Sequence, residues 1–554
     1  FGYGSAMKEN LAGIEDYTRI GSLLQPEQIV KYGELTLREN QIAYADPGFF
    51  RLFDFELLKG DKKTSLSMPG QVVITERIAR KYFKEEDPIG KILIFTGPYY
   101  KISCEVTGVM EEMPSNSHIH YNFLISYTSL PKFIHEYWYK HEAYTYVLLD
   151  SPEREAEIER EFPVMAEKYK TEEALKNKTW GVDLVPLADI HLTPQLGYEM
   201  ETKGNRSAMI ALVFAAIAIL AIAWINYINL TVARSMERAR EVGVRRVVGA
   251  FRKQLIHQFL FEALVMNLIA FILAVGLIEL ILPYFNQLVG RTVTFSVWLM
   301  DYWWMLLVLV FIAGIFLSGY YPALALLNRK PITLLKGKFL HSKSGERTRQ
   351  VLVIIQYTAS MILLCGTLIV FAQLNFMRSQ SLGVKTDQTL VIKFPGRTDG
   401  LNVKLEAMKK AIMRLPLVHS VAASGAVPGE EVATFLSNRR TNDALKQNRL
   451  YEMLACDPDY IEAYGLQVIA GRGFSEEYGD DVDKLVINET AVRNLGFASN
   501  DEAIGELVTV ECTDAPMQII GVVKDYHQQA LSKNYTPIML IHKDKIDWLP
   551  QRYI

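Results

Sequence analysis

The sequence predicts an α+β chain, a helical transmembrane protein with two repeated mixed α/β extracytoplasmic domains. Three observations predict this fold class. Long apolar runs occupy the middle of the chain, basic loops separate some of these runs, and the two flanking regions share a set of short sequence blocks. The 554 residues are too many for a single hydrophobic core, so we expect several separate units.

The composition excludes several classes of protein. Hydrophobic residues make up 50% of the chain and charged residues 22%, which excludes a mainly disordered or fibrous protein. A net charge of −3 and a pI near 6.4 argue against a general nucleic-acid binder, whose binding surface is basic. Four cysteines in a chain of this length exclude a disulfide scaffold.

Four stretches are predicted to span a membrane. Three of them, 207–231, 303–327 and 351–375, contain no Lys, Arg, Asp or Glu and reach the length of about 20 apolar residues that a bilayer requires. The fourth, 255–283, contains ionisable residues only near its ends, where they can reach the interface: His257, Glu262 and Glu279. Buried helices of a soluble protein are the alternative, but three such runs so close together disfavour it.

Basic residues in the loops predict the orientation of these spans. The loop 232–254 and the loop 328–350 each contain seven Lys or Arg residues, whereas the loop 284–302 contains only Arg291. Because basic loops stay on the cytoplasmic side, both large flanks, 1–206 and 376–554, are expected to lie outside the cytoplasm.

The predicted topology also suggests a longer protein. A large outer domain must be exported ahead of the first visible span, yet Phe1 follows no signal peptide. We therefore expect a hydrophobic segment ahead of Phe1 and an incomplete second outer domain at Ile554.

An internal repeat relates the two flanks. Four sequence blocks recur in the same order with similar spacing, and each includes strand-like or turn-like residues. The pairs are DPGFFRLFDFELLKG (46–60) with DPDYIEAYGLQVIAG (457–471), VVITERIARKYF (72–83) with LVINETAVRNLGF (485–497), DPIGK (87–91) with EAIGE (502–506), and CEVTGVMEEMP (104–114) with QIIGVVKDYH (518–527). Agreement over four blocks predicts a duplication of a mixed α/β domain.

The region 122–190 is the less repeated part of the first flank. Its run from Glu153 to Lys170 combines charged residues with periodic apolar positions, which predicts an amphipathic helix. We expect this region to form a subdomain inserted into the first outer domain.

The segment 232–254 follows the first span and is predicted to be cytoplasmic. Its charges can pair locally, for example Glu241 with Arg245 four residues later. Gly243 and Gly249 argue against a long uninterrupted helix and predict bends or a cap. A short amphipathic helix at the inner membrane surface fits this pattern. The alternative is that the arginines only retain the loop inside, which leaves the glycines and the embedded glutamates unexplained.

The sequence contains no motif of a known catalytic centre. The chain has no GxxxxGK[ST], HExxH, GxSxG or paired CxxC pattern, so we expect neither ATP hydrolysis nor another enzymatic activity on this chain. His118 and His120 near Glu111 and Glu112 form an HxH pattern that can bind metal, but a polar turn after a strand is favoured. His527 occupies a comparable place in the second copy, which also favours a structural role.

Three further groups of residues have two interpretations each. A disulfide between Cys104 and Cys512 requires the two outer domains to touch. Glu262 and Glu279 are either functional intramembrane charges or, as favoured, residues near the interface. Small residues in the third span allow close helix packing: Gly314, Ser318 and Gly319.

The order of residues after the first span resembles a known family. Residues 233–263, with the pattern ARxxExxREVGVRRVVGAxxxQLIxQFLxEA, resemble the signature of the FtsX/MacB class of ABC transporter permeases. The run SGYYPALALLNRKPITLLKG (318–337) is similar to the last-helix motif of that family, and RQVLVIIQYTASMILL (349–364) to the first span of a second permease unit. The repeated outer blocks resemble the MacB-like periplasmic core domain.

The resemblance implies an architecture and a set of partners. It implies 1–206 as the first MacB-like domain, 232–254 as a coupling segment, 328–350 as a cytoplasmic linker, 351–375 as the opening span of a second permease unit and 376–554 as the second MacB-like domain. It implies docking on a cytoplasmic ABC ATPase dimer that holds ATP and Mg, with no cofactor on this chain. A periplasmic adaptor or outer-membrane component is a further implied partner, beside the lipid bilayer.

The resemblance also implies which residues contact the ATPase. They are the residues of this chain that match the coupling-helix motif: Glu237, Arg238, Glu241, Gly243, Arg245, Arg246, Gly249, Ala250 and Gln254.

We therefore expect a multi-pass permease subunit in the bacterial inner membrane. It would couple ATP hydrolysis by its partner to movement of the periplasmic domains, for export or extraction of a substrate. The alternative is a signalling or scaffold protein of the FtsX type, which senses a ligand or regulates a cell-wall enzyme without transport. A membrane-anchored enzyme is a weaker third hypothesis. The substrate class stays open among lipoproteins, peptides, antibiotics and toxins.

Overall fold

The chain forms two compact units. One contains 1–191, 195–202 and 380–554, and the other contains 192–194 and 203–379. A computed structural model describes residues 2–21, 28–97, 101–114, 116–135, 138, 143–170, 179–192, 204–290, 293–294, 303–320, 323–324, 343–393, 401–432, 434–443, 448–475, 481–546 and 553–554. It describes the backbone alone at 133, 135, 232–240, 303, 343–346, 348–349 and 401–402.

The N-terminal flank is built on a mixed sheet of ten described strands. The spatial order is β10-β1-β4-β9-β6-β8-β7-β2-β3, and β5 pairs with β8 beside this path. The strands are β1 Ile14–Gly21, β2 Gln28–Tyr32, β3 Leu35–Glu39, β4 Ile42–Ala45, β5 Leu57–Lys59, β6 Gln71–Thr75, β7 Ile92–Thr96, β8 Lys101–Met110, β9 Phe123–Ser126 and β10 Tyr144–Leu149.

Short helices cover this sheet. They are α1 Tyr3–Asn10, α2 Phe49–Leu52, α3 Glu76–Phe83, α4 Lys132–His135 and α5 Glu155–Ala166. Both faces of the central strand β6 are buried: Val72 packs with Ile78 and Tyr82 of α3, and Val73 packs with Phe49 on the opposite side. Continuous burial explains why this strand is apolar throughout instead of alternating.

The amphipathic helix predicted between Glu153 and Lys170 is confirmed as α5. Ile158 and Phe162 of α5 share an apolar cluster with Met7 of α1. In the same cluster Trp138 stacks on Tyr169, with ring centroids 4.3 Å apart. The less repeated region thus covers α1 with a second layer, while its strands β9 and β10 belong to the main sheet.

The C-terminal flank contains a second mixed sheet, of seven described strands. Its order is β13-β16-β14-β17-β12-β11-β15, and β15 also pairs with β16. The strands are β11 Phe435–Arg440, β12 Arg449–Cys456, β13 Val468–Gly471, β14 Lys484–Asn488, β15 Leu507–Thr509, β16 Met517–Val523 and β17 Ile538–His542. The second β15 pairing closes six of these strands into a ring.

The seven described strands of the second sheet have the same pairings as eight strands of the first sheet, which adds β1 and β10 beside β4. In the first sheet β4 runs parallel to β9, β9 runs antiparallel to β6, and β6 runs parallel to β8. In the second sheet β12, β17, β14 and β16 follow each other with the same directions. The strands β5 and β7 on β8 correspond to β13 and β15 on β16, all antiparallel. One strand differs: β3 and β4 are separated by Asn40 and Gln41, where φ of Gln41 is +58°, whereas β12 is continuous.

The sequence blocks of the two flanks also make equivalent hydrogen bonds. The amide of Gly90 donates to the Val106 carbonyl and the amide of Gly505 to the Ile519 carbonyl, at 2.9 and 2.8 Å, and both glycines have a φ near +80°. The IG turn therefore connects to the same strand in both flanks, in a conformation that favours glycine.

A carboxylate at the end of a central strand contacts the first turn of the neighbouring helix in both flanks. Glu112 accepts a hydrogen bond from the Arg77 amide at 2.9 Å. Asp525 accepts one from the Thr490 amide, also at 2.9 Å, and a second from the Thr490 hydroxyl. The partially positive helix N-terminus and its unpaired amides favour an acidic residue at this place.

The aspartate that opens the DP block is buried in both flanks, with different partners. Asp46 accepts two hydrogen bonds from the Arg19 guanidinium, at 2.8 and 2.9 Å. Burial opposes the charge on Arg19, but the hydrogen bonds and charge of Asp46 outweigh it and raise the pKa of Arg19. Asp457 accepts instead from Lys409 at 2.7 Å and from the Ala423 amide at 2.9 Å. Burial raises the pKa of Asp457 despite these contacts.

The helices of the second flank are short except for the first. They are α10 Leu401–Met413, which carries Lys409, and α11 Tyr460–Ala463, α12 Glu489–Leu495 and α13 Asn500–Ala503.

The second unit consists of long apolar helices. They are α6 Arg206–Val247, α7 Arg252–Val289, α8 Trp303–Ile315 with a following π-helical turn Phe316–Tyr320, and α9 Lys343–Ser379. Within the described residues, three stretches are long and apolar enough to cross a membrane: Arg206–Thr231, Arg252–Val289 and Gln350–Ser379. The helix Trp304–Tyr320 is also apolar but shorter, and the predicted span 303–327 is described only in part.

Two expectations about helix ends were wrong. Gly243 does not bend the chain, because α6 continues through it to Val247, so 232–254 is no separate helix. Gly243 is buried beside Val242. Packing at this place offsets the free-energy cost of about 1 kcal/mol that a glycine inside a helix has relative to alanine. The second span does not end at Pro283 but continues to Val289, and Gly290 ends it with a φ of +68°. Most of the linker 328–350 lies outside the described residues.

The structure shows the contacts of His118 and the state of the four cysteines. His118 forms a hydrogen bond with the Tyr146 hydroxyl at 2.9 Å. Among the described residues, no group of three or more His, Cys, Asp or Glu side chains could hold a metal ion. All four cysteines are free thiols; Cys104 is buried and Cys512 exposed, and burial raises the pKa of Cys104 to about 12.

Glu452 is a buried carboxyl group on β12. The residue is 1% exposed, one carboxyl oxygen accepts from the Gln529 amide group at 3.3 Å, and the other has no hydrogen-bond partner among the residues that the structure describes. Burial, and secondarily the charge of Glu431, raises the pKa of Glu452 to about 7. The charge of Lys533 and a hydrogen bond from Thr536 act in the opposite direction.

The stability of the second sheet should depend on the protonation of Glu452. Since the pKa of Glu452 is raised in the folded state, its protonated form contributes to the free energy of unfolding. This contribution is fully present below the unfolded pKa of 4.5 and is lost as the pH rises through about 7. We expect a loss of roughly 3 kcal/mol between pH 4.5 and pH 8, and Glu452→Gln should abolish it. Unfolding of the full chain in urea at several pH values measures this. Glu462→Gln, at an exposed carboxylate on α11 that does not act on the pKa of Glu452, is the control. If the free energy of unfolding of Glu452→Gln depends on pH in the same way as that of the wild type, the prediction is wrong.

Two backbone segments approach each other closely at Gly521, so we expect a side chain at this position to destabilise the second sheet. A Cβ on Gly521 would lie 2.0 Å from the Arg472 carbonyl oxygen. We expect Gly521→Ala to lower the free energy of unfolding by roughly 2–4 kcal/mol, because the strand must move. Gly496→Ala is the matched control, since its φ is +82° but nothing lies within 4 Å of the added Cβ. It should lose only about 1 kcal/mol. Equal losses in urea unfolding would show that contact with Arg472 is unimportant.

Candidate functional site

The turn between α6 and α7 has a defined backbone geometry. The amide of Gly249 donates to the Arg246 carbonyl at 3.3 Å, and the amide of Ala250 donates to the Arg245 carbonyl at 2.9 Å. Gly249 has a φ of +106°. This pair of bonds around a left-handed glycine is a Schellman motif, which ends α6 sharply and turns the chain.

The start of α7 is capped from within the turn. The side chain of Gln254 accepts a hydrogen bond from the Phe251 amide at 3.0 Å, and the Gln254 amide donates to the Phe251 carbonyl at the same distance. The reciprocal arrangement satisfies an amide that the helix itself leaves unpaired. We call residues 248–251 the tip.

A chain of polar side chains connects the two helices next to the tip. Arg245 forms an ion pair with Glu241 at 2.7 Å on its own helix. Across the turn, Arg245 donates to the Gln258 side-chain oxygen, also at 2.7 Å. Gln258 in turn donates to Glu262 at 3.3 Å. Glu262 thus takes part in a polar chain that begins on the predicted cytoplasmic side, as expected for a residue near the interface.

An apolar cluster lies beneath the tip. Val242 of α6 and Leu255 and Phe259 of α7 are at least nine-tenths buried, and Ala323 completes the cluster. Their packing fixes the angle between the two helices at their shared end, so the turn is held by both apolar and polar contacts.

The tip itself is apolar and exposed. The exposed fractions are 82% for Val248 and 72% for Phe251, and Val247 and Val244 on the last turns of α6 are 65% and 50% exposed. Basic side chains surround these residues in sequence: Arg245, Arg246, Arg252 and Lys253. An exposed apolar patch with a charged rim is typical of a protein-binding surface.

The structure brings most of the predicted contact residues together at this turn. Glu241, Gly243, Arg245, Arg246, Gly249, Ala250 and Gln254 lie on the end of α6, in the tip or at the start of α7. The backbones of Glu237 and Arg238 lie on α6, and their side chains are outside the described part of the chain. Gly249 and Gln254 shape the turn, Gly243 is buried, and Arg245 pairs within the protein.

Sequence reasoning missed the apolar residues that the turn exposes. The exposed large apolar side chains there are Val244, Val247, Val248 and Phe251. The signal was present, because a valine pair and a phenylalanine stand on either side of a glycine in an otherwise basic loop.

Comparison with known proteins places this arrangement in a family. The profile of the MacB-like periplasmic core domain matches residues 3–163 and 333–552, and that of the FtsX-like permease C-terminal region matches residues 213–331. The chain belongs to the FtsX/MacB family of ABC transporter permeases. The first profile covers both sheets, and the second covers the tip and the helices on either side of it.

Curated relatives share part of their length with this chain. The macrolide export ATP-binding/permease protein MacB of Neisseria meningitidis is 23% identical over 241 residues, which is 43% of this chain and 33% of the relative. MacB of Campylobacter jejuni is 32% identical over 136 residues, 24% of this chain and 20% of the relative. The chain thus spans about a third or less of the length of these relatives.

Solved structures of similar proteins cover one part of the chain. A domain of a putative permease protein from Porphyromonas gingivalis is 24% identical, with a TM-score of 0.28, over 31% of this chain and 71% of that structure. The periplasmic region of MacB from Actinobacillus actinomycetemcomitans is 18% identical, with a TM-score of 0.23, over 30% of this chain and 72% of that structure.

Proposed function

We propose that this protein is a transmembrane permease subunit that works with a separate cytoplasmic ATPase dimer. The observation that carries the proposal is the exposed apolar tip with its basic rim. The tip fits a partner that offers an apolar pocket with acidic residues around it. Family membership supports an ABC ATPase as that partner, and the ATPase would hold the ATP and Mg that this chain has no motif to bind.

The helix α6 suits mechanical transmission. Its 42 residues form an uninterrupted helix of roughly 60 Å, about twice the thickness of a bilayer core. The apolar part, Arg206–Thr231, would occupy the membrane, and the remaining turns would extend into the cytoplasm. A displacement of the tip would therefore reach the outer end of α6 without an intervening hinge.

We further propose that the two sheets are copies of one periplasmic domain, in a multi-pass protein of the inner membrane. The shared strand pairings and hydrogen bonds support this reading, as does the double match to one profile. Movement of the two copies relative to each other would change a periplasmic binding surface during each ATPase cycle. Export or extraction of a substrate would follow from that change, with an adaptor or outer-membrane component as a further partner.

Capture of the ATPase tests the tip directly. We expect Val248→Asp and Arg245→Glu/Arg246→Glu to reduce co-purification of the candidate ATPase with the full-length chain at least about tenfold, since each places a charge of the wrong kind in the interface. Co-purification from detergent-solubilised membranes, with elution profiles that report folding, provides the measurement.

The matched control is Arg347→Glu. It reverses an exposed arginine that is predicted to lie on the same side of the membrane and is not part of the tip or the helix turns next to it, so capture should be unchanged. If Arg347→Glu weakens capture as much as the tip variants, total basic charge and not the tip determines binding. If the wild-type chain captures no ATPase, the FtsX-type signalling or scaffold hypothesis replaces the transporter.

A further inference from the structure

A polar cluster lies inside the helical unit, where three spans meet. The Asn267 side chain on α7 donates a hydrogen bond to the Ser318 hydroxyl at 3.1 Å. Ser318 belongs to the π-helical turn Phe316–Tyr320 and is 2% exposed. A Cβ on Gly314 would lie 3.1 Å from the Trp224 indole nitrogen of α6 and 3.2 Å from the Asn267 side-chain oxygen. The absence of a side chain at Gly314 thus allows the three helices to meet.

The hydrogen bonds of this cluster satisfy the groups that a π-helical turn disturbs. A π-helix shifts backbone pairing by one residue, and in lipid the displaced groups need other partners. The Ser318 hydroxyl donates to the Gly314 carbonyl at 2.5 Å, and Asn267 also donates to the Ala263 carbonyl on its own helix at 2.8 Å. Asn267, which lies on α7, therefore holds the π-helical turn of the neighbouring third span in place.

Ala323, three residues after the end of the π-helical turn, contacts the base of the tip. Ala323 is fully buried in the cluster with Val242, Leu255 and Phe259. The same stretch of α7 thus carries Leu255 and Phe259, which hold Ala323, and Asn267, which holds the π-helical turn. A change in helical register at Phe316–Tyr320 shifts the chain that follows by one residue, which would move Ala323 out of this cluster.

We propose that the π-helical turn Phe316–Tyr320 is a register switch in the third span, and that Asn267 and Ser318 are positioning residues that hold it in the π-helical state. Breaking their hydrogen bond lets the turn relax to α-helix, which moves Ala323 away from the base of the tip. The reverse coupling, in which a displaced tip releases the switch, rests on the proposed function. Tight packing of Gly319 against Ala263 and Leu260 leaves two discrete arrangements in preference to a continuous one.

Thiol reactivity at position 323 tests the switch in the full-length protein in lipid. The background is Cys365→Ser/Cys512→Ser, because these two native thiols are exposed and the other two are buried. The probe is N-ethylmaleimide. Ala323→Cys should react slowly with Asn267 present, and at least about tenfold faster when Asn267→Leu or Ser318→Ala is added. Ile312→Cys, 43% exposed and located before the π-helical turn, should react at the same rate in all backgrounds.

The matched control for loss of an intramembrane hydroxyl is Thr367→Ala. Within the described part of the chain Thr367 donates only to the Leu363 carbonyl of its own helix, at 2.8 Å, so its loss should leave Ala323→Cys protected. Continued protection of Ala323→Cys in both Asn267→Leu and Ser318→Ala would overturn the proposal. Should Ala323→Cys disturb folding, amide hydrogen exchange over 312–324 decides: it must speed up in Asn267→Leu and not in Thr367→Ala.

The two proposals can fail separately. Asn267→Leu changes no residue of the tip, and the Schellman motif at Gly249 and the Arg245–Gln258 hydrogen bond still hold the turn, so the variant should still capture the ATPase. With captured ATPase, addition of ATP should accelerate labelling of Ala323→Cys when Asn267 is present, and no acceleration would overturn the coupling to the tip. If no ATPase is captured at all, the proposed function fails, while the difference in labelling rate with and without the Asn267→Leu substitution still decides the switch.

Discussion

The uninterrupted backbone of α6 is the constraint on which the helical unit depends. Its 42 residues form one unbroken helix between the caps, so they behave as one stiff element. The cap at Asn205, whose side chain accepts from the Ala208 amide at 3.1 Å, fixes one end. The Schellman motif at Gly249 fixes the other. Without the sharp stop at Gly249, α7 could not return along α6, and Leu255 and Phe259 would not meet Val242.

The sheets follow from a different constraint, which is the close approach of backbone segments at a few glycines. Gly60 and Gly471 lie at corresponding block ends with φ values of +98° and +66°, and a Cβ on either would lie within 2.5 Å of a carbonyl oxygen of the neighbouring strand. Such contacts fix the register of β5 on β8 and of β13 on β16. At these repeated glycines any side chain would collide with the neighbouring strand. This constraint explains why the blocks are visible in the sequence although the intervening residues differ.

The sequence predicted the apolar spans and the mixed character of both flanks because their signals are local. Span length and the absence of charge can be read from 207–231 directly, and the glycine and carboxylate positions recur within each block. The failures concern effects of tertiary contact. Gly243 is a helix breaker by propensity, but packing around Val242 keeps it helical. The π-helical turn at Ser318 depends on a contact with Asn267 of another helix, which no local pattern encodes. The exposed Val248 did have a local signal in the basic loop, and sequence reasoning overlooked it.

The buried aspartates show how far two related sites can diverge while the fold is kept. Asp46 and Asp457 both end a central strand, and in both flanks the aspartate amide donates to a neighbouring carbonyl, of Arg19 or of Ala423. The cation, however, comes from the adjacent strand in one flank, Arg19, and from the helix α10 in the other, Lys409. A buried carboxylate requires a cation but not a particular one. Under the proposed duplication, the carboxylate is therefore the fixed point, and its partner was free to move from a strand to a helix. Lys409 connects α10 to the end of β12 and thereby adds an ion pair to the burial of Leu405 on the same helix, whereas α1 of the N-terminal flank is held by apolar contacts with α5.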